Sequence, residues 1–402
     1  MTRTEERLVD ALDAAARALR EDTLRPLRVP KRSQYRSAVA APLAAAAALL
    51  LVVGLGVIVA GYLPGSGQQS TATSSPPRYY VETGTSGPPV VRSTASGAVT
   101  ATVRVPHVRY AAGAYLLTAA ANGLFFTVVQ LATGVRTYRF RLTAEGKVTA
   151  IAALRGGMLA SSKWDADAIA ASPDGLRVAV SLTPTSSSAG SDQIDVINTA
   201  TGETSRWAGG IRHGDTFSVI SLSWTSNGNE LAYYGQWCPR KSANTTPGWC
   251  TNGTGTGGAE AQVWTLDPAS SGGALTSGRK LFSLSPKYPY VPQAMISADG
   301  SAITAVVPTG SGSGVPTASS ALTSVAVEQI PLAKGKQPSV LYSRPLSQST
   351  FFSLNTDATG QDWMFSGACS DGLCTNGFNG WIDHGRLVPL QPTTGEILDE
   401  AW

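Results

Sequence analysis

The sequence predicts an all-β domain of repeated four-stranded units, preceded by one transmembrane α-helix and a short cytoplasmic helix. Three observations lead to this prediction: an uncharged apolar run near the N-terminus, abundant glycine and proline, and two types of recurring glycine turn. The chain has 402 residues, 43% of them hydrophobic and 14% charged, with 42 Gly and 24 Pro. This composition excludes a chain disordered along its whole length and favours short strands and turns over long helices.

The first 37 residues form a basic segment with one predicted helix. They hold nine basic and six acidic side chains. Thr2 and Glu5 fit a capping box, and apolar residues then recur at helical spacing. We therefore expect an amphipathic helix over residues 4–21. It is either a solvated helix that leads into the membrane or a docking helix for a cytoplasmic partner protein.

Residues 38–63 are the predicted transmembrane helix. They contain no charged side chain, and as a helix they are long enough to cross a hydrocarbon core of about 30 Å. Six Lys and Arg residues precede this run at positions 20–36, so the positive-inside rule places the N-terminus in the cytoplasm. A cleaved export signal or a buried core helix are the alternatives, but the run is longer and starts later than a usual signal peptide. Residues 64–77 are a polar, flexible linker, and the domain at 78–392 is expected to be extracytoplasmic.

Two types of glycine turn alternate after residue 78. The first type follows an apolar run, and Ser172-Pro173-Asp174-Gly175 is its clearest example. Ser, Asp and Asn side chains bond the turn backbone, and Gly supplies the positive φ that closes a hairpin. The other turns of the first type end at Gly123, Gly228, Gly300 and Gly360. The turns of the second type end at Gly97, Gly146, Gly202, Gly272, Gly335 and Gly385.

Two hairpin turns per unit imply four strands per unit, which is the blade of a β-propeller. The turns predict six blades, with five to seven as the range. The first unit has three strands but lacks a strand and turn before them. The first blade is therefore either incomplete or completed by the tail at 393–402, which would close the ring. A β-sandwich has similar strands, but it does not require a pair of turns at an interval of about 50 residues.

The best-preserved unit carries a family resemblance. Its SPDG turn at Ser172–Gly175, the apolar strand Arg177–Leu182 and the later ATG turn at Ala200–Gly202 resemble the repeat of TolB-like and WD-repeat-like β-propellers. The resemblance covers residues 78–392 and implies a propeller that serves as a binding platform, without naming a ligand. The order of basic segment, Ala/Leu-rich anchor and propeller is similar to single-pass membrane proteins of actinobacteria.

All four cysteines lie beyond the predicted anchor, in two short-range pairs. Cys238 is close in sequence to Cys250, and Cys369 is close to Cys374. An even number of cysteines in an extracytoplasmic domain predicts two disulfides that pin loops. Free thiols are the alternative. A zinc site is disfavoured because these spacings, with no nearby His, are a poor zinc signature.

The longest insertion, residues 236–261, carries aromatic residues beside the first cysteine pair. Trp237, Lys241 and Trp249 form a candidate binding loop. The two tryptophans either present an aromatic patch to a protein or sugar, or pack on the disulfide and order the loop. The loop at 368–378 carries the second cysteine pair and is expected to flank the same face.

Common catalytic motifs are absent from the sequence, which has no nucleophile elbow, His-Glu-x-x-His or Walker A loop. The three histidines, each in a turn or at a strand end and therefore expected to be turn residues, are His107, His213 and His384. Asp165 and Asp167, or Asp371, are the candidate carboxylates for glycoside hydrolysis. No pairing between these carboxylates can be inferred from the sequence, so a catalytic role is disfavoured, and no metal or cofactor is expected.

We therefore expect a non-catalytic, single-pass membrane protein whose external propeller binds a protein or envelope ligand. An envelope polysaccharide enzyme is one alternative, and a membrane-tethered regulator acting through helix 4–21 is another. The 402 residues carry a net charge of +4, but residues 38–402 hold 22 basic and 21 acidic side chains. The outer domain is thus nearly neutral, which argues against a nucleic-acid partner.

Overall fold

Short apolar strands bounded by glycine turns form six β-sheets in a computed structural model of the chain. The structure describes residues 77–84, 87–106, 115–160, 163–185, 192–209, 215–239, 261–283, 288, 291–310, 322–346, 350–357, 359–369, 378–390 and 397–401. The chain divides into two compact units, Met1–Ala72 and Thr73–Trp402, and all described residues belong to the second. Each sheet is one blade, so the predicted six-bladed β-propeller is confirmed.

Blades 1 to 3 come from the first half of the propeller. Their strands are β1 (Tyr79–Gly84), β2 (Val90–Ser93) and β3 (Val99–Thr102) in blade 1, β4 (Tyr115–Ala120), β5 (Leu124–Leu131), β6 (Gly134–Leu142) and β7 (Val148–Ala160) in blade 2, and β8 (Trp164–Ala171), β9 (Arg177–Pro184), β10 (Gln193–Asn198) and β11 (Thr204–Ala208) in blade 3. Within each blade, strands adjacent in sequence pair antiparallel.

Blades 4 to 6 repeat this order. The region of blade 4 contains β12 (Asp215–Trp224), β13 (Leu231–Pro239), β14 (Ala261–Leu266), the two-residue β15 (Gly272–Gly273) and β16 (Arg279–Ser283). Blade 5 contains β17 (Ala294–Ile296), β18 (Ala302–Gly310), β19 (Leu322–Pro331) and β20 (Ser339–Pro345). Blade 6 contains β21 (Thr350–Thr356), β22 (Trp363–Cys369), β23 (Phe378–Asp383) and β24 (Arg386–Pro389). Blade 4 consists of β12, β13, β14 and β16.

The last strand, β25 (Ile397–Ala401), completes the first blade. It pairs antiparallel with β1, and Val81 lies opposite Ala401. Blade 1 therefore contains strands from both ends of the propeller sequence. Because β25 is its innermost strand, the ring closes through this one antiparallel pairing.

The turn ending at Gly272 differs from the predicted simple hairpin. After this turn, β15 pairs parallel with β11 of blade 3, and a 3-10 turn at Leu275–Ser277 follows before β16 begins. Gly272 has φ 102°, and a Cβ there would lie 2.1 Å from the carbonyl oxygen of Arg206. Only glycine fits this close approach, so the turn extends blade 4 over the outer edge of blade 3.

The two ends of the strands form two different faces. Hairpins between first and second strands, and between third and fourth strands, lie at the same end of an antiparallel blade. We call this end the turn face, and its described turns are 94–97, 121–123, 143–146, 172–175, 199–202, 225–228, 297–300, 332–335 and 382–385. We call the opposite end the loop face, and its second-to-third strand ends are Gly84 and Val90, Leu131 and Gly134, Pro184 and Gln193, Pro239 and Ala261, Gly310 and Leu322, and Cys369 and Phe378.

The turns of the first type in blades 3, 4 and 5 share one hydrogen-bond pattern. In blade 3, the hydroxyl of Ser172 donates to Asp174, and the N–H of Leu176 also donates to Asp174. Arg177 N–H donates to the Ser172 hydroxyl at 2.9 Å. Blades 4 and 5 repeat these bonds with Thr or Ser first and Asn or Asp third. The predicted role of these polar residues in closing the hairpins is therefore confirmed.

The hydrophobic core lies between neighbouring blades. Each pair of neighbouring blades shares a cluster of buried side chains. The largest fully buried side chain is that of Trp207 on β11, which packs in one cluster with Phe217 and Leu231 of blade 4. Trp224 adds a directional contact, since its indole N–H donates to the carbonyl of Ala170 at 3.1 Å. Burial between sheets thus holds the ring together.

The predicted N-terminal elements lie outside the described residues. These are the helix at 4–21, the transmembrane helix at 38–63 and most of the linker at 64–77. No helix in the described ranges is long and apolar enough to span a bilayer. The transmembrane helix therefore stays a prediction.

Candidate functional site

A cavity of about 260 Å³ lies at the centre of the ring. The innermost strands β4, β8, β12, β17 and β21 contribute its walls. It extends from Asp167 and Phe352 inside the channel to Asp357 and Gly360 at the turn face. Among the described residues that line it there is no Lys, Arg or His. The lining therefore carries only negative titratable groups.

Four polar side chains of the lining link neighbouring inner strands. Inner strands have no neighbouring strand on the channel side, so side chains must satisfy part of their backbone. The bonds join Thr118 to Ala171 N–H at 3.1 Å, Ser221 to the Ala294 carbonyl at 2.5 Å, Ser223 to Ile296 N–H at 2.9 Å, and Gln293 to both backbone groups of Leu354 at 2.6 and 2.8 Å. These polar groups are already engaged in holding blade 2 to blade 3, blade 4 to blade 5, and blade 5 to blade 6.

Asp167 reaches the cavity through a β-bulge. The pairing of β8 with β9 shifts between Ala166 and Ala168, so Asp167 has no residue directly opposite. A bulge changes the direction of a side chain and increases the local twist. The pairing of β12 with β13 shifts in the same way around Ile220. Both residues precede the first residue of their glycine turn by the same spacing.

The same repeat position lines the cavity in four blades. It holds Asp167 in blade 3, Ile220 in blade 4, Pro292 in blade 5 and Phe352 in blade 6. Three of these four residues are apolar. The repeat therefore places a single carboxylate beside an otherwise apolar ring within the channel.

A second carboxyl lies behind Asp167. The Thr183 hydroxyl bonds the carboxylate of Asp167, and desolvation by the channel walls raises the pKa of Asp167. Asp192 is buried and accepts the N–H of Val219 at 2.6 Å, and burial raises its pKa to about 7. Thr183 also bonds Asp192. The bond from Thr183 lowers the pKa of Asp192, opposing the effect of burial, and the Thr183 hydroxyl thus lies between the two carboxyl groups.

The two carboxylates predicted on β8 do not both line the cavity, although the charge of Asp165 contributes to the raised pKa of Asp167. Asp167 lines the cavity and Asp165 is not part of the described lining, while both side chains are exposed. Asp371 lies outside the described residues. His384 occupies a two-residue hairpin with Gly385, both at positive φ, and is therefore a turn residue. His107 and His213 also lie outside the described ranges.

The candidate loop residues and the cysteines are located only by their strands. Trp237 and Cys238 belong to β13, and Cys369 ends β22, but nothing beyond the backbone is described for them. The remaining predicted residues lie outside the described part of the chain, and they are Lys241, Trp249, Cys250 and Cys374. Both disulfides and the aromatic loop therefore stay predictions.

Comparisons with known proteins find likenesses of fold. No family model and no curated protein matches the chain. Among solved structures, TolB from Acinetobacter baumannii is 17% identical over 81% of this chain and 65% of that chain, with a TM-score of 0.45. The Cps50 (Swd1) β-propeller domain of Myceliophteria thermophila is 10% identical over 80% and 84%, with a TM-score of 0.42. An acylaminoacyl peptidase of Pyrococcus horikoshii is 14% identical over 69% and 39%, with a TM-score of 0.38.

These comparisons concern the fold alone, and no enzymatic activity is established by them. The chain spans about 65% of the length of the TolB that it matches. The resemblance to TolB-like and WD-repeat-like propellers predicted from the turns is found among solved structures. The six sheets of the chain itself confirm that fold.

Thr183, Asp192 and Gln293 belong to the channel site but carry no sequence motif. Each acts through a side-chain contact with another strand or another blade. One signal for Asp167 was present, because aligning the repeats on their first turn places it level with Ile220 and Phe352. A lone carboxylate at a position that is otherwise apolar is unusual enough to mark the site.

Proposed function

We propose that the chain is a non-catalytic, single-pass membrane protein whose extracytoplasmic propeller binds a partner protein or an envelope ligand at its loop face. The observation that carries this proposal is the asymmetry of the two faces. The described connections of the turn face are tight glycine hairpins, apart from the one between β14 and β16 of blade 4. At the loop face, the strand ends Pro239 and Ala261 of blade 4 are joined by residues 240–260, and Gly310 and Leu322 of blade 5 by residues 311–321.

The chemistry of the loop-face segments supports a binding surface. The strand ends next to both cysteine pairs lie at this face, in blades 4 and 6. The 236–261 segment adds Trp237 and Trp249, and tryptophan is enriched among residues that dominate binding energy. A loop fixed by a disulfide loses less conformational freedom on binding. Long, pinned, aromatic loops on one rigid face are thus suited to recognition.

The carboxylates of the described channel support a non-catalytic role. Glycoside hydrolysis generally requires two carboxyl groups on opposite sides of the scissile bond. Asp357 accepts the N–H groups of Thr359, Gln361 and Asp362 and is therefore committed to its turn. Asp167 is the other acidic residue of the described lining. One available carboxylate does not provide an acid and a base across a substrate.

The sequence supports the membrane part of the proposal. Residues 38–63 carry no charge, and six basic residues lie on their N-terminal side. This pattern favours a helix that leaves residues 1–37 in the cytoplasm and the propeller outside. A partner bound at the loop face would then be an envelope or extracellular component.

The proposal is tested by cross-linking the full-length chain in membranes of its native host. We expect discrete adducts that are lost in the double variant Trp237→Ala/Trp249→Ala. The control is Leu176→Ala, since Leu176 is an exposed apolar residue of the turn face and should leave the adducts unchanged. Melting curves check that each variant is folded. Adducts that persist equally in all three proteins, or adducts no different from those of an anchor-only chain, would overturn the proposal.

A further inference from the structure

We infer that the central cavity is a binding site for a small primary amine, with the Asp167 carboxylate as counter-ion for the ammonium group. This site is separate from the loop-face surface, because its lining extends to residues of the turn face. The inference rests on the position of Asp167, on the absence of positive charge from the described lining, and on the apolar residues at the same level.

Asp167 has one carboxylate oxygen available for a ligand. The Thr183 hydroxyl occupies Oδ2, and within the described part of the chain Oδ1 has no hydrogen-bond partner. The bulge in β8 holds the residue in the channel, where it is accessible. Within the described lining, most other polar groups bridge the blades or close turns, and Asn355 donates to Ser353 within β21 at 3.2 Å. Asp167 is therefore the strongest free acceptor available to an entering molecule.

The charge of the cavity selects a cation. No Lys, Arg or His side chain lies in its described lining, so no internal partner neutralises Asp167. A carboxylate in a partly enclosed channel interacts with a cation more strongly than it would in bulk water, because the walls replace solvent. An anionic ligand would meet only repulsion from Asp167.

Geometry favours an ammonium over a guanidinium group. A guanidinium binds a carboxylate best through two parallel hydrogen bonds that use both oxygens. Thr183 already occupies one of those oxygens. An ammonium is a compact point charge and needs only one acceptor on the carboxylate.

The walls indicate the rest of the ligand. Ile220, Pro292 and Phe352 lie at the level of Asp167, and their apolar surfaces suit an alkyl chain. The volume of about 260 Å³ suits a molecule with a few carbon atoms. A short alkylammonium therefore matches both the carboxylate of Asp167 and the apolar walls of the cavity.

The experiment is calorimetric titration of the full-length chain in nanodiscs, with heats corrected for protein-free nanodiscs. The probe is pentylammonium, and its uncharged counterpart is 1-pentanol. We expect pentylammonium to bind about tenfold tighter or more, because the charged probe alone forms an ion pair with the carboxylate. Equal affinities of the unsubstituted chain for the two probes would by themselves overturn the inference.

Two matched variants locate the interaction. Asp167→Asn removes the charge inside the cavity and should weaken pentylammonium binding about tenfold or more. Asp165→Asn makes the same change two residues away, at an exposed carboxylate outside the described lining, and should leave the affinity within about twofold. Equal losses of pentylammonium affinity in both variants would contradict the assignment of the counter-ion to Asp167. Failure of the loop-face cross-linking test would not affect this result, so the two proposals fail separately.

Discussion

Ala401 lies directly opposite Val81, and both side chains are buried in the cluster shared by blades 1 and 2. Val81 belongs to the first strand of the propeller and Ala401 to the last. This contact joins the two ends of the ring across nearly the whole sequence of the domain. The antiparallel pair β1–β25 therefore controls whether the ring is closed.

A charge placed at this closure should open the ring. Ala401 is 3% exposed, so Ala401→Asp buries an unpaired carboxylate and should lower the free energy of unfolding by about 2–4 kcal/mol. Val99→Asp is the control, since Val99 is 50% exposed on β3 of the same blade and should change stability by less than about 0.5 kcal/mol. Urea unfolding of the detergent-solubilised chain measures both. Similar effects of the two substitutions would show that β25 is not essential to the ring.

The ion pair between Asp195 and Arg206 should stabilise blade 3. Arg206 Nε and Nη2 each bond a different oxygen of Asp195 at 2.7 Å, and the Asp195 side chain is fully buried. Arg206→Met leaves that carboxylate without its partner and should cost about 2 kcal/mol or more. The loss is at the lower end for such pairs because Arg206 is half exposed.

A double-mutant cycle isolates the pair. Asp195→Asn removes the buried charge, so Asp195→Asn combined with Arg206→Met should be more stable than Arg206→Met alone. The readout is the urea midpoint of each variant. Strictly additive effects would mean that the two side chains do not interact.

The buried carboxyl of Asp192 should make stability depend on pH. Burial raises its pKa from 3.8 to about 7, so the folded state favours the protonated form. The contribution of Asp192 to the free energy of unfolding is therefore greatest below about pH 4, and it is lost as pH rises through about 7. The fall amounts to at most about 4–5 kcal/mol, because one pKa unit corresponds to about 1.4 kcal/mol.

Asp192→Asn should remove this part of the pH dependence. The amide stays uncharged, and its oxygen can still accept the N–H of Val219. Unfolding of wild type and variant is compared at pH 4.5, 6 and 8, and the variant should gain relative stability with rising pH. If the free energies of unfolding of the two proteins changed in parallel with pH, this would be inconsistent with a buried, proton-binding Asp192.

The cysteines should form two short-range disulfides. Peptide mapping of the full-length chain without reduction should yield Cys238 linked to Cys250 and Cys369 linked to Cys374. An extracytoplasmic location favours oxidation of such pairs. Free thiols at all four positions, detected by alkylation before reduction, would contradict both the pairing and the compartment.

The fold was predictable because its signals are local and repeated. Turns such as Ser172–Gly175 contain all the side chains that close them, so the sequence alone reveals the hairpins and their number. The channel site was less predictable. Asp167 enters the cavity through a register shift, and Asp192 approaches it through Thr183 of a different strand. Both features depend on pairing between strands, which a single sequence does not specify.

The extra strand β15 was missed for a similar reason. The glycines at 272 and 273 looked like the end of an ordinary turn, but Gly272 approaches the backbone of Arg206 in the neighbouring blade. That contact is between blades and has no counterpart in the local sequence. Within the described chain, periodicity thus predicted the blades, and packing determined how they interact.

The central claim is that the loop face is the recognition surface, and site-specific photo-crosslinking tests it most directly. A photoreactive amino acid is placed in the full-length membrane protein at Trp249, in a loop-face segment, or at Lys334, an exposed residue of the turn face. We predict discrete cross-linked products from position 249 and none above background from position 334. Products from position 334 alone, or identical products from both, would contradict the claim.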